Sequence, residues 1–144
     1  MLVPVLIFAM AQPPVSVCDV RNRPSAYVRR LITVHAEVVS AMPHGIYLAD
    51  DKCPNTVLPL GFDLPDADDT AHNLLSSIWN DCSPDSPIHK THGDFTGRIV
   101  YSEKGRPEIR LQSVHKLDNV SCSTPPVVTM PAMHSSQMPD APSH

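Results

Sequence analysis

Aromatic side chains are scarce in this chain of 144 residues, with one Trp, three Tyr and three Phe. A small core built mostly from aliphatic residues leans on other restraints. Positive charge is not in excess either: 11 Lys and Arg stand against 15 Asp and Glu, for a net charge of −4. A domain that neutralises phosphates carries a clear basic face, so the balance speaks against nucleic acid as the main partner. No C-x-x-C pair occurs, which removes the usual zinc and thiol-redox signatures. No G-x-S-x-G elbow occurs, so nothing marks a strained nucleophilic serine. Finally, no apolar run approaches the roughly 20 residues that a membrane helix needs.

What is present points to an exported chain. Leu2 to Met10 is apolar and uncharged, and Ala9-Met10-Ala11 ahead of Gln12 has the small-x-small form of a signal peptidase site. Pro4, Pro13 and Pro14 oppose the alternative of a buried first strand. Val15-Ser16-Val17 before Cys18 lacks the small residues of a lipid-anchor site. Residues 1–11 are therefore predicted to be a signal peptide, 12–122 one domain, and 123–144 a disordered tail rich in Pro, Ser and Met. Four widely spaced cysteines, Cys18, Cys53, Cys82 and Cys122, fit structural disulfides in a periplasmic or secreted protein.

Within the domain, Ser16 is a candidate N-cap for a short helical turn through Asn22, which Pro24 interrupts. Tyr27 is expected to pack this segment onto the rest. Within residues 31–42, LITVHAEVVSAM, side chains alternate over about ten residues, with Ile32, Val34, Ala36 and Val38 on one face and Thr33, His35 and Glu37 on the other. Further strands are predicted at 46–50 and 56–62, where Pro59 implies an edge or a bulge. Asp66, Asp68 and Asp69 precede Leu74, Leu75, Ile78 and Trp79, which reads as one helix face with carboxylates at its positive end. The stretch 81–94 reads as a loop. Phe95–Ser102 and Arg106 to about Leu117 form a last hairpin, with Gly97 as a kink. Five short strands with a helix between the third and fourth is the order of an OB-like barrel.

Candidate chemistry is sparse. His89, His92 and Asp94 have a spacing used by metal ligands, yet a site needs three or four converging ligands, so no metal and no cofactor is assigned. Met130, Met133, His134, Met138 and His144 are soft donors suited to copper, but irregular and broken by proline. The aspartates at 66, 68 and 69 lack the glycine and distal glutamate of a calcium loop. Arg98, Lys104, Arg106 and Arg110 give the last hairpin a basic edge, with only Phe95 and Tyr101 nearby for base stacking. Asn119-Val120-Ser121 matches a glycosylation sequon.

The segment from Val17 to Pro54, followed by Phe95-Thr-Gly-Arg-Ile99, resembles a group of small exported bacterial proteins of unknown function. A cysteine in a first helical turn, Asn22, Tyr27, Asp50 and Cys53 carry the resemblance, which covers about residues 17 to 120. It implies an OB-like fold and transfers no catalytic residue. Two departures are the lack of glycine within Val28–Arg30 and Ala36 in place of another glycine.

The expected function is an exported, non-catalytic OB-like domain that binds a small molecule, glycan, peptide or protein. OB barrels bind with the face of strands two and three, here including His44, Tyr47, Thr56 and Leu58. The competing readings are a metal-assisted hydrolase using His89, His92 and Asp94, and a metal-handling protein. Strand order predicts the pairing Cys18–Cys53 and Cys82–Cys122, because each bridge joins ends that antiparallel strands bring together. If the export reading holds, mass spectrometry of the chain made in its natural host will find Gln12 at the amino terminus. An intact Met1 on cytoplasmic protein is the contrary result.

Overall fold

The computed structural model describes residues 12–41 and 44–124. Ser16 has extended backbone and its Oγ accepts from the Asp19 amide at 3.0 Å, capping helix α1 (Val17–Asn22). Val17 and Val20 of this short helix are fully buried. A 3₁₀ turn, Pro24–Ala26, follows, since proline cannot continue the α-helical ladder. Tyr27 packs against the core as expected.

The strands are β1 (Val15–Ser16), β2 (Leu31–Ala41), β3 (Ile46–Ala49), β4 (Val57–Phe62), β5 (Ile88–Tyr101), β6 (Pro107–His115) and β7 (Ser121–Ser123). They form one mixed sheet, so the protein is mainly β. Two short strands, β1 and β7, add to the five expected. On one edge β2 pairs with β1, in parallel, and then with β3. Its other edge pairs with β5 over its whole length, Leu31 opposite Arg98 through to Ala41 opposite Ile88. From β2 the neighbours run through β3, β4, β6 and β5 and return to β2. Every link is antiparallel except β4–β6.

Pro59 does not mark an edge strand. It lies opposite Tyr47 of β3, and the β6 pairing begins one residue later at Leu60, so the missing N–H falls outside the β4–β6 ladder. The larger correction concerns residues 88–94, expected in a loop. They are the first half of β5, and at 14 residues β5 is the longest strand among the described residues. Gly97 sits at a register shift between Thr96 and Gly97, where a Cβ would come within 2.8 Å of Ile109 Cγ1 and 2.9 Å of the Arg110 carbonyl carbon. Only a residue without a side chain lets the two backbones approach there.

Helix α2 (Asp69–Asn80) crosses β6. Asp68 caps it by accepting from the Thr70 and Ala71 amides. The Thr70 hydroxyl bond, first among several, holds the Asp68 carboxyl below its ordinary range. Thr70 Oγ1 in turn accepts from the Val114 amide of β6 at 2.7 Å, which anchors the helix start to the sheet. Ala71, Leu74 and Ile78 form the buried stripe. Trp79, expected on that face, is rotated about 100° from Ile78 and is 62 % exposed. Phe95, Ile99, Ile109, Leu111, Leu48 and Leu58 fill the interior. No helix among the described residues is long and apolar enough to cross a membrane.

The two disulfides are Cys18–Cys53 and Cys82–Cys122, with Cα separations of 5.8 and 5.6 Å. The first ties α1 to the β3–β4 turn, and the second ties the end of α2 to β7. Residues 1–11 and 125–144, and with them the expected signal peptide and most of the expected tail, lie outside the described residues; Ser123 belongs to β7.

Arg29 is held at φ 64°, inside the Val28–Arg30 stretch where the resemblance expects glycine. Its amide donates to Ile99 O at 2.7 Å, and its carbonyl accepts from the Arg98 guanidinium at 2.8 Å. A side chain in the left-handed region costs about 1 kcal/mol, so Arg29→Gly is predicted to raise unfolding stability by roughly that amount in a denaturant titration. A loss of stability would show that the arginine side chain outweighs the strain.

Candidate functional site

Two clusters of polar side chains follow from the β2–β5 pairing, one on each face. The outer cluster uses the alternation of both strands. His35 of β2 stands opposite Asp94 of β5, and Glu37 stands opposite His92. His35 Nδ1 lies 2.7 Å from Asp94 Oδ1, and His92 Nε2 lies 3.6 Å from Glu37 Oε2. Lys116 Nζ reaches Asp94 Oδ2 at 3.6 Å. The Asp94 side chain is 9 % exposed and that of His35 66 %, so a shielded carboxylate orients an open imidazole. Facing a carboxylate oxygen, Nδ1 is the donor of this bond.

These strands form one wall of an open cleft of about 480 Å³, to which His35, Glu37 and His92 contribute. The opposite wall is the β3–β4 turn, with Asp50, Asp51, Lys52 and Pro54. The turn has local causes. Asp50 Oδ1 accepts from the Lys52 amide at 2.9 Å, Asp50 O accepts from the Cys53 amide, and Cys53 O accepts from the Thr56 amide. The Cys18–Cys53 bridge then pins it to α1. The cleft walls are thus covalently and locally set before any ligand arrives.

The predicted binding residues are only partly brought together. His44 is exposed, and its carbonyl accepts from the Tyr47 hydroxyl at 2.7 Å. Thr56 is half-buried and precedes Val57, which pairs with Ala49 beside the cleft. Leu58 is fully buried with Leu48, because alternation turns it inward; it belongs to the core and not to a binding face. Pro43 lies outside the described residues. Phe95 is likewise fully buried and offers no stacking surface.

The weak metal set is also taken apart. His89 points inward from β5, while His92 and Asp94 point outward, so the three cannot converge on one ion. Among the described residues no group of three or more His, Cys, Asp or Glu could hold a metal. The methionine- and histidine-containing tail lies outside the described residues.

The inner cluster centres on His89, 1 % exposed rather than solvated in a loop. Ser77 of α2 donates to the Asp81 carboxylate, so its oxygen is free to accept from His89 Nε2, 3.4 Å away. That tautomer leaves Nδ1 without a hydrogen, and Nδ1 has no partner. Ser40 of β2, opposite His89 in register, is 1 % exposed, and its hydroxyl is also unpartnered. Burial pushes the His89 imidazole below its ordinary value, and Asp81 offsets part of the shift.

Because the folded state disfavours the charged form, the unfolded chain binds more protons as pH falls below about 6.5. Stability supplied by neutral His89 is fully present above that pH and is lost as pH falls toward the folded value. Urea unfolding of wild type should weaken from pH 7.5 to 5 by more than that of His89→Gln. Parallel pH curves for the two proteins would contradict the assignment.

No protein-family model, no curated protein and no solved structure matches this chain.

Proposed function

We propose that the chain is an exported, non-catalytic binding domain with an OB-like five-stranded barrel, and that it seats its ligand in the cleft between β2, β5 and the β3–β4 turn. The observation that carries the reading is the cleft, whose two walls present Glu37, His35 and His92 on one side and Asp51 and Lys52 on the other. Polar groups converging on a shaped concavity are what a small-ligand site requires.

Several features support the architectural half of the proposal. The circuit β2-β3-β4-β6-β5, its one parallel link and the helix between β4 and β5 match the strand order of an OB barrel. Such barrels bind with the second and third strands, here β3 and β4, and of the expected residues Thr56 is the one at the end of the cleft's turn, while His44 and Tyr47 sit toward the β2–β3 turn. Two disulfides fit an oxidising compartment, periplasmic or extracellular. The ligand class that suits the cleft is a polar small molecule, glycan or peptide end, and the net charge of −4 keeps nucleic acid disfavoured.

The test is a nuclear magnetic resonance titration of the disulfide-bonded protein with amino acids, oligosaccharides and short peptides. Binding is expected to move the amides of residues 35–37, 49–53 and 92, and Lys52→Glu should weaken it about tenfold, the equivalent of about 1.4 kcal/mol. Shifts centred on the outer face of α2, or chemical conversion of the bound compound, would overturn the proposal.

A further inference from the structure

We propose that residues 118–123 form a strap whose release from β5 is coupled to protonation of His89, with Cys82–Cys122 as its second lock. The strap lies along the edge of β5 that β6 leaves free before Asp94. Its own hold is slight. The Asp118 amide donates to His92 O at 2.9 Å, Thr91 Oγ1 donates to Asp118 O at 2.7 Å, and β7 adds three register pairs. The middle pair sets Cys122 opposite His89. Ser121 and Cys122 are exposed while His89, paired with Cys122, is buried, so of the elements beside His89 the strap is the most open to solvent.

Each element around His89 has been given a chemical role by its side chain. From α2 come Ser77 and, through it, Asp81, the one charged group that acts on the ring. From β2 comes Ser40, uncharged. From β7 comes Cys122, which is bonded to Cys82 and does not titrate. An imidazolium needs an acceptor at both nitrogens, and the Nδ1 side has none in place. Hydration supplies one if a cover lifts. Lifting β2 breaks an eleven-pair ladder and lifting α2 uncovers Ala71, Leu74 and Ile78, whereas lifting the strap breaks three pairs and the few hydrogen bonds of Asp118, Thr91 and Ser121. Acid therefore loosens the strap first, and the disulfide limits how far it travels.

Amide hydrogen exchange at residues 120–123 tests this at pH 7.5 and pH 5, after correction for intrinsic exchange rates. In the Cys82→Ser/Cys122→Ser variant the open population should rise about tenfold or more on acidification, and in wild type by less. Adding His89→Gln to that variant should flatten the response. Equal protection at both pH values, or an unchanged acid response with His89→Gln, would overturn the coupling. Should the triple variant not fold, imidazole nitrogen shifts of wild-type His89 decide: protonation must track loss of protection at 120–123, and protonation with protection retained refutes the strap.

Discussion

The long antiparallel pairing of β2 with β5 is the constraint on which the other features depend. It joins residues about 60 positions apart in the chain, so its formation closes a long loop before any contact rewards it. Once formed, its register decides what faces out and what faces in. A slip of β2 by one residue against β5 would turn His35 and Glu37 inward and Val34 and Val38 outward. The outer cleft and the inner His89 cluster are two faces of one ladder.

Around that ladder the remaining restraints fasten its neighbours. Cys18–Cys53 holds the turn that forms the far wall of the cleft, and Cys82–Cys122 holds the strap along the first residues of β5. In the chain-entropy model each bridge closes a loop worth about 3–4 kcal/mol, a useful contribution where, among the described residues, Phe95 is the one fully buried Phe, Tyr or Trp in an otherwise aliphatic interior. The helix α2 is fastened at its start by Asp68 and Thr70 and leaves Trp79 to solvent. The fold therefore spends its covalent restraints on the loops that shape both polar clusters.

Much of this was legible in the amino-acid order, and the gaps have physical reasons. Residues 32–38 alternate apolar and polar side chains, and Asp66, Asp68 and Asp69 precede a clear helical stripe. The disulfide pairing followed from which strand ends antiparallel pairing brings together. The first half of β5 was not legible, because inward positions hold His89, Thr91 and Gly93, so the apolar signal of period two is missing there. β1 and β7, two and three residues long, are too short to show any period. The cleft was half visible: His35 and Glu37 stood on a predicted outward face, but their partners Asp94 and His92 are joined to them only by a long-range register. Leu58 and Trp79 were each assigned to the wrong side by one step of their element's period.

Cross-strand nuclear Overhauser contacts between β2 and β5 test the central constraint most directly. The register predicts close backbone contacts of Val34 with Phe95, Ala36 with Gly93 and Val38 with Thr91. Finding them would fix His35 against Asp94 and Glu37 against His92. Contacts displaced by one residue, or β2 paired with a strand other than β5 along this edge, would contradict the placement of both clusters.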